Sequence, residues 1–95
     1  MKVVWTKQAQ RDIKAIHDYI AHDSEHYAAE VVDAILDAEH RIGAYPAAGG
    51  LVRERPRRDL RQVKRYSYRI IYRILPHRID VVTVVHEKRN LALEV

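Results

Sequence analysis

The stretch Tyr66-Ser-Tyr-Arg-Ile-Ile-Tyr-Arg-Ile-Leu75, followed by Pro76-His77-Arg78 and Ile79-Asp-Val-Val-Thr-Val-Val-His86, decides the fold. Tyr66, Tyr68, Ile70, Tyr72 and Ile74 alternate with Ser67, Arg69, Ile71, Arg73 and Leu75, the two-residue period of a strand. Ile79–His86 is almost wholly β-branched, as in a strand buried on both sides or paired centrally. The Pro-His turn between the two joins them as a β-hairpin. Its second arm ends at His86, Lys88 and Arg89, and its first carries Arg69 and Arg73. The hairpin therefore reads as a cationic surface built to meet something anionic.

Upstream, Leu60–Lys64 is a weaker strand, and Ala47–Asp59 is aperiodic, with Gly49-Gly50 and Pro56. At the other end, Lys2–Trp5 is β-prone and Thr6 can cap a helix. Ala9, Ile13, Ile16 and Ile20 then recur at helical spacing, opposite Arg11, Asp12, Lys14 and Asp18. Asp23-Ser24 breaks this helix and caps a second, from about Glu25 to Ala44, with the apolar stripe Ala28, Val31, Val32, Ile35, Leu36, Ala38 and Ile42. Tyr45-Pro46 ends it. The order β–α–α–β–β–β predicts an α+β fold: an antiparallel helix hairpin packed on one face of a small, mostly antiparallel sheet. The N-terminal strand is expected beside a later one, making the sheet mixed, and the other face is left to solvent or a partner.

The 95 residues predict one domain over 1–95, with 47% apolar and 32% charged residues, as in ordinary globular chains. No cysteine is present, which excludes disulfides and thiolate metal sites. No apolar run has membrane-spanning length, so the expected compartment is the cytoplasm, with no membrane partner. The net charge of +4 is unevenly spread. Residues 1–52 hold five Lys/Arg against eight Asp/Glu, and residues 53–95 hold twelve against five. Seven of the thirteen residues from Arg53 to Arg65 are cationic, the footprint of a nucleic-acid, phosphate or acidic-protein partner, or else of a solvated basic face.

Little else carries chemistry. Ser24 reads as a cap and Ser67 as a strand residue, so neither is a nucleophile. Asp18, His22 and His26 have four-residue spacing, but the break at Asp23-Ser24 separates the histidines and no metal site is expected. RNA cleavage needs a base, an acid and cations around the phosphorane. The candidates are His86 with Tyr66 or Tyr68, and Arg69, Arg73, Lys88 and Arg89. Against this, the tyrosines also read as strand packing, and His86 as a strand-end residue that orders the tail.

The chain resembles the RelE/ParE superfamily of toxins from bacterial type II toxin–antitoxin modules. The resemblance rests on Val-Trp-Thr-Lys-Gln-Ala at 4–9, Ile16-His-Asp-Tyr-Ile20, Tyr45-Pro46 with Gly49, Ser67-Tyr-Arg-Ile-Ile-Tyr-Arg-Ile74 and Val85-His-Glu-Lys-Arg89. These occur in family order over about residues 3–90. The resemblance implies the same fold, no cofactor, and one of two activities: ribosome-dependent mRNA cleavage in RelE-type members, or poisoning of DNA gyrase in ParE-type members. Arg69 matches the arginine of the family's Tyr-Arg-x-x-Tyr strand, and Arg89 the basic residue after the last strand. A nuclease would use Arg69, His86 and Arg89. RelE-type nucleases also carry a tyrosine past that last arginine and paired lysines on the preceding strand. Here Asn90–Val95 has no tyrosine, and Leu60 and Gln62 stand at the lysine positions. Gly50 replaces a common arginine, and Arg53 a common proline. The long helix hairpin with Tyr19-Ile20 and the absence of the C-terminal tyrosine favour ParE-like action on gyrase, with RelE-like cleavage as the alternative. The implied toxic surface is Arg69, Arg73, His86, Lys88 and Arg89. The implied partner is a cognate antitoxin with an acidic tail, laid along the helix hairpin and across the basic sheet at Ile13, Ile20, Val31, Ile35, Arg61 and Arg65.

Overall fold

The computed structural model describes residues 1–91. Its elements are β1 (Val3–Trp5), α1 (Lys7–Ala21), α2 (Glu25–Ala44), a 3₁₀ turn (Pro46–Ala48), β2 (Gly50–Leu51), β3 (Leu60–Arg65), β4 (Tyr68–Ile74) and β5 (Ile79–His86). The described strands form one sheet in the order β1-β5-β4-β3-β2. β1 runs parallel to β5 and the remaining pairs are antiparallel, so the sheet is mixed as the sequence predicts.

Both helices begin where their caps dictate. The Thr6 hydroxyl accepts the Ala9 amide at 3.2 Å, and the Ser24 hydroxyl accepts the Tyr27 amide at 3.1 Å. Ala28, Val31, Ile35, Ala38 and Ile42 of α2 are wholly buried, at alternating three- and four-residue steps. The last four of these close a core with Ala9 of α1 and with Ile70, Tyr72, Ile79, Val81 and Val84 of the sheet. Burying a side chain of this size contributes roughly 1.5–3 kcal/mol, so this layer supplies the main driving force. It also corrects one expectation. Val31 and Ile35 face the sheet with no exposed surface, and neither can meet a partner. Ile13 and Ile20 are half-buried against the same core.

β1 ends at Trp5, which leaves the outer edge of β5 open beyond Val81. Side chains from the start of α1 satisfy it. The Thr6 hydroxyl donates to the Val81 and Val82 carbonyls at 2.8 and 3.1 Å, and the Asp12 carboxylate accepts the Val84 amide at 3.1 Å and the Thr83 hydroxyl. The register shift between Ile71 and Tyr72 lies here: Ile71 opposes Thr83 while Tyr72 opposes Val81, so Val82 bulges out of the ladder.

The alternation beginning at Tyr66 extends too far upstream. Arg65 pairs with Tyr68, and Tyr66-Ser67 form a two-residue turn with Tyr66 at φ 53°, a region bulky side chains avoid. The Tyr66 ring meets Tyr27 edge-on at 5.8 Å. The aperiodic stretch 47–59 is also more ordered than its sequence implies. Gly50 and Leu51 pair with Gln62 and Arg61. The Tyr72 hydroxyl donates to the Pro46 carbonyl at 2.6 Å, and a Cβ at Gly49 would collide with that hydroxyl and with the Gln62 carbonyl. Finally, the sheet face opposite the helices is not bare. Val52, Leu60, Ile71 and Val85, with Leu91 against them, form a second small cluster there.

Candidate functional site

The expected cationic surface divides into buried, paired and free groups. Arg69 projects from β4 to the face opposite the helices and has no exposed surface. Its guanidinium forks onto Glu54, with Nη1 to Oε1 at 3.0 Å and Nη2 to Oε2 at 2.6 Å. Nη1 also donates to Gln62 Oε1 at 3.1 Å, and Nη2 to the Arg89 carbonyl at 2.8 Å. Nε is buried and faces no acceptor among the described residues. Every terminal N–H is thus used internally, and none is left for a phosphate. Glu54 also accepts the Leu91 amide at 2.9 Å. The Arg69 hydrogen bonds hold its carboxyl down to about 2, from an ordinary 4.5. Arg69 therefore has to be corrected as a member of an exposed toxic surface: it is the buried centre of an ionic cluster.

Arg73, four residues further along β4 on the same face, is more exposed but not free. Its Nε donates to Asp59 Oδ2 at 3.3 Å, a carboxylate already bridged by Arg57 at 3.0 and 2.6 Å. The Arg57 bonds lower the Asp59 pKa below its usual value. Arg61 donates to the Arg58 and Gly49 carbonyls at 3.0 and 3.1 Å, anchoring the β2–β3 loop, and Arg65 donates to the Lys64 carbonyl at 2.7 Å.

His86, Lys88 and Arg89 are exposed, and the Lys88 and Arg89 side chains make no ion pair among the described residues. His86 packs edge-on against Tyr68 at 5.7 Å, and its Nδ1 accepts the Lys88 amide at 3.2 Å. That bond orders the start of the tail and occupies one of the two ring nitrogens. His86, Tyr68 and Arg89, with Asp12, Ile16 and Tyr19, line a cleft of about 340 Å³ between α1 and the end of β5. Burial raises the Tyr68 pKa, so the phenol stays protonated at neutral pH. The cleft thus brings together one histidine, the protonated Tyr68 phenol and the exposed Arg89, while Arg69 and Arg73 are held in ion pairs on the other face of the sheet.

Sequence reasoning missed Glu54, Arg53 and Asp12. Glu54 had a signal: it and Asp59 are the two carboxylates within the cationic run from Arg53 to Arg65, and each has an arginine of β4 as partner. The helical spacing assigns Asp12 to the solvent face of α1, but its carboxylate caps the open edge of β5. The break between His22 and His26 lies where expected, and no group of three metal-ligating side chains occurs among the described residues. No described helix is long and apolar enough to cross a membrane.

Residues 3–91 match the ParE toxin of the type II toxin–antitoxin system parDE. The chain belongs to the ParE toxin family. Its fold is shared with solved members of the wider RelE/ParE superfamily. A chain of the chromosomal ParDE toxin–antitoxin system from P. aeruginosa superposes with a TM-score of 0.73 at 20% identity, over 90% of this chain and 95% of that one. A chain of the RelBE2 toxin–antitoxin complex from Mycobacterium tuberculosis superposes with a TM-score of 0.63, also at 20% identity and over the same shares. At that identity both likenesses concern the fold. No curated protein matches the ParE-family chain in sequence.

Proposed function

We propose that residues 1–95 act as a single cytoplasmic toxin domain that arrests growth by poisoning DNA gyrase and is neutralised by a cognate antitoxin. The observation that carries this reading is the internal saturation of Arg69. A nuclease on this scaffold needs that arginine at the phosphate, and here Glu54, Gln62 and the Arg89 carbonyl occupy it. The free cations Lys88 and Arg89, at the end of β5, suit a binding surface better than an assembled acid–base site. The antitoxin would take the half-buried Ile13 and Ile20, the exposed Leu36, and the basic edge at Arg61 and Arg65 with an acidic segment.

The alternative is ribosome-dependent mRNA cleavage. It is favoured by one feature, the cleft that gathers His86, Tyr68 and Arg89. Inducing the protein in cells separates the two. DNA-damage signalling with filamentation is the expected outcome, and immediate translation arrest with cleaved message would overturn it in favour of the nuclease.

A further inference from the structure

We propose that Arg69 is a positioning residue whose fork with Glu54 latches residues 87–91 to the outer face of the sheet and thereby presents Lys88 and Arg89 to the target. This rests on the reading that those two cations are the toxic surface. Beyond His86 the chain leaves the ladder after one last backbone bond, from the Glu87 amide to the Ser67 carbonyl at 2.8 Å, and no strand partner among the described residues holds residues 88–91. Side chains from two other elements do so. Arg69 of β4 holds the Arg89 carbonyl, and Glu54 of the β2–β3 loop holds the Leu91 amide. Arg53 Nη2 reaches the Glu87 and Arg89 carbonyls at 3.3 and 3.5 Å and Asn90 Oδ1 at 3.4 Å. Leu91 packs against the outer apolar cluster.

The chemistry of the pair fits this role. A buried ion pair stabilises a fold no better than well-packed apolar residues of similar volume. What the planar fork adds is direction: it grips a carboxylate on one side and a tail carbonyl on the other, at fixed angles. The same carboxylate receives the tail amide. Loop, strand and tail are therefore tied at one point, two residues from Arg89 on one side and at Arg89 on the other.

Glu54→Gln tests this without removing a cation. The fork loses a carboxylate oxygen, and hydrogen exchange of the residue 91 amide should accelerate at least about tenfold, as for a segment released by local opening. Growth arrest per folded molecule should fall by about the same factor if presentation of the tail cations limits target binding. Unchanged exchange at residue 91 would overturn the latch. So would growth arrest that persists or strengthens while the amide is exposed, because an Arg69 released from Glu54 would then be acting as a free cation. Leu91→Ala keeps the ion pair and removes the apolar anchor. It is expected to give the same two changes, and it carries the test if Glu54→Gln fails to fold. Full arrest by Leu91→Ala with a fast-exchanging residue 91 would also overturn the proposal. Exchange is read on the purified chain, so an inactive wild type would sink the functional reading and leave the latch measurable.

Discussion

Under α2 the sheet meets Val31, Ile35 and Ile42, with no charge among the buried residues of that layer. On the opposite side it meets a few apolar groups around a buried arginine, which Glu54, Gln62 and the Arg89 carbonyl hold, while Glu54 also accepts the Leu91 amide. The helix side is held by area removed from water, which has no direction and tolerates shape-preserving change. The other side is held by oriented, charge-assisted bonds, which fail as a unit when one member is removed. A layer of the first kind determines that the chain folds. A layer of the second kind determines where a short, unpaired tail lies.

The contrast can be broken at several points. Ile35→Ala should cost the most, about 2–5 kcal/mol in urea unfolding, through lost burial and the cavity left behind. That cost should be the same at pH 3 and pH 7, since no titrating group is involved. The outer side should respond to acid instead. The Glu54 carboxyl titrates at about 2 in the fold against an ordinary 4.5. Its stabilisation is therefore complete above the ordinary value and is lost as the pH falls from there toward 2. The loss amounts to at most about 3 kcal/mol. Unfolding measured across this window should fall more shallowly in Glu54→Gln, and an unchanged slope would show that Glu54 is not the titrating group. The smallest effect is expected at Arg73→Ala. Arg73 lies on the same face of the same strand as Arg69, but its side chain is 38% exposed and shares Asp59 with Arg57. The change should stay within about 1 kcal/mol, as for solvent-exposed pairs. A cost as large as at a buried pair would erase the distinction between the two arginines.

Much of this was legible in the sequence, for reasons that can be stated. The stripe on α2 and the β-branched run of β5 are periodic signals, and both elements lie where the periods place them. The sequence places the N-terminal strand beside a later one in a mixed sheet, and β1 indeed runs parallel to a later strand, β5. What the sequence hid is non-local. An arginine in an alternating strand looks solvent-facing, because its carboxylate lies fifteen positions away in an aperiodic loop. The same loop and the tail cover the face that alternation leaves open. A helical stripe also cannot tell which layer will cover it, so Val31 and Ile35 read as partner-facing until the sheet claimed them. Tyr66 looks like a strand residue in the sequence because the alternation continues through a turn whose φ favours glycine.

The pairing of β1 with β5 also sets an order of events during synthesis. Val3 lies in register with Ile79, and the Ile79 amide donates to the Lys2 carbonyl, so β1 emerges from the ribosome long before its partner and waits until residue 79 has been made. The helix hairpin can form early from local contacts. The sheet closes only once residues 79–86 are available, and the latch at Arg89 and Leu91 comes after that. A nascent chain would therefore acquire its cationic tip only after the helix hairpin and the sheet from which it projects.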